Sequence, residues 1–224
     1  MSKANAREGQ QMKMNRLISP LRLMSRRLAV LAVAGVGLGA SLVSAGSAQA
    51  ATSGGCAAQS LSQPFAPWGD GSQYDLVPGG DFESGLAGWS VSDGASIVAG
   101  SEPFDATGVA GSHSLYLSDG ASAQSPFFCV DASDPTFRFF AENHGLLANV
   151  AVAVVYHGPL GIPVTVPVGV VTLTGSWEPS PIMLTGSLLP AALSAGGSAQ
   201  VALQFTALGG ASQIDDVFVD PRCK

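Results

Sequence analysis

Two acidic groups at opposite ends of the chain have the residue types and spacing best suited to chemistry. Asp81 and Glu83 lie in Val77-Pro78-Gly79-Gly80-Asp81-Phe82-Glu83-Ser84-Gly85-Leu86-Ala87-Gly88-Trp89; Asp215 and Asp216 lie in Ile214-Asp215-Asp216-Val217-Phe218-Val219. Period-two alternation puts Asp215 on the face of Val217 and Val219, so if the valines point inward the aspartate does too. An ionised carboxylate taken out of water needs compensation, or it costs several kcal/mol. Basic partners are scarce, because Arg138 is the sole Lys or Arg between residue 28 and Arg222. Two partners remain: a hard cation such as Ca²⁺, which takes oxygen ligands, or backbone N–H groups of the Glu83 turn. Catalysis finds less support. There is no G-x-S-x-G elbow and nothing that orients a base. Glu102, Glu142 and Glu178, the other Glu residues after the first fifty, sit in no distinctive setting for glycosidase work. The expectation is a protein that is not an enzyme.

Composition divides the chain near residue 50. Seven of the ten Lys and Arg fall in the first fifty residues, and beyond them three basic residues face fifteen carboxylates, a formal charge of −12. That sign argues against nucleic acid, whose phosphates need clustered Lys and Arg, and against an electrostatic hold on anionic lipid. Residues 1–50 read as a signal peptide: a basic stretch ending at Arg26-Arg27, an apolar run from Leu28, and Ala48-Gln49-Ala50 as an A-x-A cleavage pattern. The run to Val43 is short for a bilayer span. A secreted, extracellular bacterial protein, free of the membrane after cleavage, is expected.

Export implies an oxidising setting, so one disulfide among Cys56, Cys129 and Cys223 is expected. Three pairings exist, and sequence alone does not choose. Cys56–Cys129 is preferred, because Cys129 sits in an apolar strand and Cys223 in a tail. A zinc site is not expected: there is no C-x-x-C, and His113, His144 and His157 are scattered.

Residues 51–75 form an irregular arm, broken by Pro64, Pro67 and Gly69, with Phe65, Trp68 and Tyr74 as lids packed on the sandwich. Residues 76–220 hold short apolar runs bounded by Gly, Pro, Asp or Ser. They predict strands at 88–92, 96–99, 112–117, 121–130, 136–142, 149–156, 162–173, 177–185, 199–206 and 213–219. Val150, Val152 and Val154 alternate with Ala151 and Ala153, and Val201, Leu203 and Phe205 with Ala202 and Gln204, the mark of half-buried strands. One short helix is expected near 187–195, and residues 221–224 form a tail. The class is all-β, a sandwich or jelly roll.

Gly80-Asp81-Phe82-Glu83 followed by Gly88-Trp89, closed by Ile214-Asp215-Asp216-Val217, resembles carbohydrate-binding modules with the galactose-binding-like jelly-roll fold. Such modules open on Asn-Gly-Asp-Phe-Glu; Gly80 stands here where they have Asn. The resemblance implies a structural calcium held by Glu83 and Asp215, with the Asp81 carbonyl nearby. It also implies a glycan or cell-surface polymer as partner. Sugar sites stack pyranose faces on exposed rings and use acid, amide and Arg groups for hydroxyls. The candidates are Trp68, Tyr74, Tyr116, Tyr156 and Trp177, with Arg138 either meeting a ligand or pairing with Glu142; ordinary packing is the plainer role for each ring. Trp89 reads as core. The leading expectation is a non-catalytic binding module; the alternative is a structural or adhesive cell-surface sandwich with no sugar ligand.

Overall fold

The computed structural model describes Cys56, residues 59–131, Asp134, and residues 136–145, 147–185 and 198–220. The export segment, the helix expected near 187–195, Cys223 and the tail lie outside the described residues.

In chain order the described strands are β1 (Leu61–Ser62), β2 (Tyr74–Leu76), β3 (Ser90–Val91), β4 (Ala95–Ala99), β5 (His113–Leu117), β6 (Ser122–Gln124), β7 (Phe128–Asp131), β8 (Thr136–Asn143), β9 (Asn149–His157), β10 (Pro163–Thr172), β11 (Glu178–Pro179), β12 (Met183–Leu184), β13 (Ser198–Leu208) and β14 (Ser212–Asp220). They build two antiparallel sheets with a common plan. In sheet A, β14 is central: β8 runs along one side, while β5 and β2 share the other. β4 extends β5, β1 extends β2, and β11 and β12 follow one another along β8. In sheet B, β13 is central, with β9 on one side and β6 and β7 sharing the other. β10 lies outside β9, and β3 beyond β6. The architecture is the expected all-β jelly-roll sandwich. Among the described residues no helix is long and apolar enough to cross a membrane.

Alternation explains the core. Phe137, Phe139 and Ala141 of β8, Val150, Val152 and Val154 of β9, and Val201, Leu203 and Phe205 of β13 face the space between the sheets. Trp89 is there too, its indole N–H donating to the Pro78 carbonyl at 3.2 Å. A second apolar layer lies on the outer face of sheet A, where Phe65 and Tyr74 from the arm cover Phe140 and Phe218. The arm is therefore a lid, as its three rings suggested. The Cys56–Cys129 disulfide ties its start to β7 of sheet B.

Two expected strands are each split in two by the same device. In the run 121–130 the break is Ser125-Pro126; in 177–185 it is Ser180-Pro181. Proline cannot donate to the ladder. The serine before it replaces the missing bonds. Ser125 N–H donates to Leu203 O, Leu203 N–H donates to Ser125 Oγ, and that hydroxyl donates to Pro126 O, each at 2.9 Å. Ser180 repeats the pattern with Phe139 and Pro181 at 2.7, 3.1 and 3.0 Å.

The two ends of the domain meet at the backbone. Val77 N–H donates to Val217 O at 2.9 Å, and Val217 N–H donates to Gly80 O at 3.1 Å. A Cβ on Gly80 would stand 2.9 Å from Val217 O and 3.0 Å from Val77 O, both backbone atoms that cannot swing aside. This contact accounts for glycine at that position. Gly80→Ala is expected to destabilise the fold by about 1–3 kcal/mol through overpacking, read as a lowered urea midpoint; an unchanged midpoint would show that the junction yields freely.

Candidate functional site

A bulge in β14 builds the acidic site. Asp215 faces Phe140 and Phe218 faces Arg138, so two residues, Asp216 and Val217, oppose Phe139 alone. Asp216 takes φ 45°, the left-handed conformation that relieves such an insertion. The bulge corrects the inward face that alternation assigned to Asp215. Ile214, Val217 and Val219 all face the core, and Asp215 points the other way, beside Phe140 on the outer face. The extra residue restores the inward phase after the aspartate. Asp215 is nonetheless fully buried, at 0 % exposure, because the 101–106 loop lies over it.

That loop supplies the donors. The Ser101 hydroxyl and the Glu102 N–H donate to Asp215 Oδ2 at 2.8 and 3.0 Å, and the Asp216 N–H donates to Oδ1 at 2.9 Å. Backbone N–H groups do compensate the buried acid, but they come from this loop and not from the Glu83 turn. Glu102 in turn accepts from Phe104 N at 2.5 Å and Ala106 N at 2.7 Å, which folds the loop back on itself. Burial pushes Asp215 up to about 7, against the pull of these donors. Asp216 is pushed up too, by burial first, then by the charges of Asp215, Glu102 and Asp81.

Glu83 lies on the other side of the same loop. Its carboxylate accepts from Ser112 N–H at 2.6 Å, the Ser112 hydroxyl at 2.6 Å and His113 N–H at 2.8 Å. The Ser112 hydroxyl bond is the main reason its acidity is strengthened to about 2. Gly111 is the hinge between the two carboxylates: a Cβ there would collide with Ser101 Oγ, the donor to Asp215, and stand 3.2 Å from Glu83 Oε1. The acids from the two ends of the domain are thus neighbours, each with its own donors. Among the described residues no three His, Cys, Asp or Glu side chains are arranged to hold a metal ion. Asp81, Glu102, Asp215 and Asp216 offer oxygen donors of the kind a hard cation takes, but Asp215 and Glu102 already accept from N–H and O–H groups and the carboxylates are not gathered as a ligand set.

The ring candidates do not converge on one place. Trp68 ends the 3₁₀ turn Ala66–Trp68, is 38 % exposed, and sets its edge against Phe104 at 4.8 Å and Phe140 at 5.4 Å. It lines a groove of about 620 Å³ with Arg138, Thr172, Thr174, Glu178 and Ser180. Trp177 is half-buried against the outer aromatic layer, and Tyr74 is wholly buried in it. Tyr116 lies on the outer face of sheet A, its ring 6.4 Å from that of His144. Tyr156 packs against the main core and lines a separate groove of about 340 Å³ with Val154, Met183 and Leu184.

Arg138 is bound within the protein. Its Nη1 donates to Asp70 Oδ2 at 2.9 Å, its Nε to Ser180 O at 2.9 Å, and its guanidinium lies 4.4 Å over the Phe65 ring. The pairing expected with Glu142 does not form; Glu142 meets His144 at 2.9 Å. Asp70 is the partner that sequence reading missed. It accepts from the Tyr74 hydroxyl at 2.7 Å. Burial opposes its charge, yet the Tyr74, Ser72 and Arg138 donors hold it below its ordinary value. Ser101 and Glu102 were missed as well. No local pattern marks them, because they meet Asp215 across 114 and 113 residues of chain.

No family model and no curated protein matches the sequence. Solved structures are similar in outline. A family 61 carbohydrate-binding module in complex with β-1,4-galactotriose is 17 % identical, with a TM-score of 0.41 over 66 % of this chain and 98 % of that one. The xylan-binding family 22 module of Xyn10C from Paenibacillus barcinonensis is 12 % identical, with a TM-score of 0.45 over 62 % and 90 %. The K1 cleaved adhesin domain of Lys-gingipain from Porphyromonas gingivalis is 14 % identical, with a TM-score of 0.43 over 63 % and 96 %. Likeness of this degree does not decide function.

Proposed function

We propose that the chain is an exported, extracellular binding module without catalytic activity of its own, and that its ligand is a glycan. One observation supports this most. The Trp68 groove combines an exposed indole with a carboxylate, Glu178, and the hydroxyls of Thr172 and Thr174. A ring face for the apolar side of a pyranose, with the Glu178 carboxylate and the Thr172 and Thr174 hydroxyls to meet its own, is the chemistry of sugar recognition. Arg138 and Ser180 serve this groove as a fixed wall: Asp70 and the Ser180 carbonyl hold the guanidinium, and the Ser180 hydroxyl is taken up by Phe139 and Pro181. The test is a glycan array with the purified protein and its Trp68→Ala variant. Binding should weaken at least tenfold in the variant, about 1.4 kcal/mol. Blank arrays for both proteins would remove the reading.

Calcium is the second part of the proposal. Asp81, Asp215 and Asp216 would supply its oxygen ligands; they are not gathered as a ligand set in the described geometry and would have to regroup around the ion, whose charge would then replace the protons that burial keeps on Asp215 and Asp216. Glu83 would join them only by giving up Ser112 and His113, as Asp215 would have to give up Ser101 and Glu102.

The adhesive reading has its own support. The outer face of sheet B is set with uncharged side chains, none of them aromatic in these rows: Gln124, Gln204 and Ala153 in one cross-strand row, Ser122, Thr206 and Ala151 in the next. A surface of this kind suits contact with another protein better than a sugar ring. Binding of the protein to cell surfaces stripped of glycan, with the array blank, would favour it.

A further inference from the structure

The arm and the 101–106 loop cover one half of the outer face of sheet A. The other half carries a line of polar side chains set out by four adjacent strands. Ser96 of β4 faces Tyr116 of β5, Tyr116 faces Gln213 of β14, and Gln213 faces Glu142 of β8. Their neighbours Ile97, Leu115, Leu117, Ile214 and Ala141 pack into the main core, so these four point outward. Adjacent strands lie about 4.8 Å apart, so the line from Tyr116 to Glu142 covers roughly 10 Å.

His144 closes the line into a cluster. Its Nε2 lies 2.9 Å from Glu142 Oε1, and its ring meets that of Tyr116 edge to face. Gln213, only 9 % exposed, is fixed from the side: its side-chain oxygen accepts from the buried hydroxyl of Ser114, which shares the outer face of β5 with Tyr116, at 3.4 Å. That leaves its NH₂ as a donor. A buried, oriented amide between a tyrosine ring and a carboxylate is more than a solvated strand face requires.

Charge narrows the ligand. Arg138 is the one Lys or Arg among the described residues, and Asp70 neutralises it. An acidic sugar or sulfate would meet the Glu142 carboxylate with only the His144 imidazole beside it to offset the repulsion. A cation would meet a carboxylate and an aromatic face, which both attract it.

We propose that Tyr116, Gln213 and Glu142 form a second binding site, for an amino sugar. The pyranose lies on the Tyr116 ring, Gln213 meets its hydroxyls, and Glu142 neutralises its ammonium. The site shares no residue with the Trp68 groove and stands independently of it. Calorimetric titration of the full chain with glucosamine oligomers and with their N-acetylated counterparts, at physiological salt, tests it. The glucosamine oligomers should bind at least tenfold more tightly than the acetylated ones. Tyr116→Ala and Glu142→Gln should each weaken that binding at least tenfold, while Leu160→Ser, on the exposed turn between β9 and β10, leaves it unchanged; Trp68→Ala, measured alongside, reports any share taken by the first groove. Glu142→Gln keeps shape and fold, so its result stands even where Tyr116→Ala unfolds. Equal affinity for the acetylated oligomers, binding indifferent to Glu142→Gln, loss only in Trp68→Ala, or no binding at all would each overturn the assignment.

Discussion

Arg138→Ala is expected to lower the unfolding free energy by about 3–5 kcal/mol, because it strands a buried carboxylate. Both ends of the Arg138–Asp70 pair are nearly closed off, with side chains 9 % and 11 % exposed. The guanidinium serves three groups at once: the Asp70 carboxylate, the Ser180 carbonyl and the face of Phe65. Without it, Asp70 keeps the Tyr74 hydroxyl but faces the aromatic layer with its charge unbalanced. The arm then loses its electrostatic fastening to β8. Urea denaturation followed by tryptophan fluorescence reads the loss, since Trp68 rides on the arm. The double variant Arg138→Met with Asp70→Asn should recover most of it, because both charges leave together. A cost under about 1 kcal/mol for Arg138→Ala would place the pair in the class of screened surface bridges, and the arm would need another clasp.

The second large effect is a fall in stability with rising pH. Burial holds Asp215 up at about 7 against an ordinary 3.8, and Asp216 is raised as well. The native state therefore keeps protons that the unfolded chain releases near pH 4. Their stabilisation is full below that pH and is lost as pH rises through 7 and beyond. Each such group can steepen the decline by up to about 1.4 kcal/mol per pH unit. Glu83 acts in the opposite sense: its value near 2, against an ordinary 4.5, gives a contribution present above pH 4.5 and lost as pH falls towards 2. Urea midpoints in chelator should therefore peak near pH 4–5 and drop by pH 9. Asp216→Asn should flatten the alkaline limb, and millimolar calcium should flatten it in the parent. A midpoint that climbs from pH 5 to pH 9 in chelator would contradict the protonated cluster. An alkaline limb unmoved by calcium would remove the cation from the proposed function.

Much of the fold was legible because period-two alternation is a strong signal where strands are long. Val150 to Val154 and Val201 to Phe205 were placed on their faces from sequence alone, and they face the core as expected. The failures came where one residue changes the phase. Apolar positions at 214, 217 and 219 cannot share a face in an unbroken strand, and that odd spacing was the mark of the bulge at Asp216. Ser125-Pro126 and Ser180-Pro181 were read through, because a serine that substitutes its hydroxyl for a ladder bond leaves no trace in hydropathy. The meeting of the two acidic ends was legible from Gly80 and Asp215. The loop that seals them was not, since Ser101 and Glu102 act across 114 and 113 residues of chain from Asp215. The Asp70 partner of Arg138, 68 residues away, was hidden for the same reason.

The paired Ser-Pro breaks leave the sheet borders in short pieces. β11 and β12 are two residues each, separated by Ser180-Pro181, and β3 is two residues long. β10, the one long border strand described, carries Pro163 and Pro167 and a register shift before Gly169. Among the described residues, the one border run a foreign strand could copy without meeting a proline or a register shift over five residues is β4 (Ala95–Ala99) on sheet A. Edge-to-edge growth of a protein so rich in valine and alanine is thereby confined to that one short border, where a charge introduced at Ser96 or Val98 would close it.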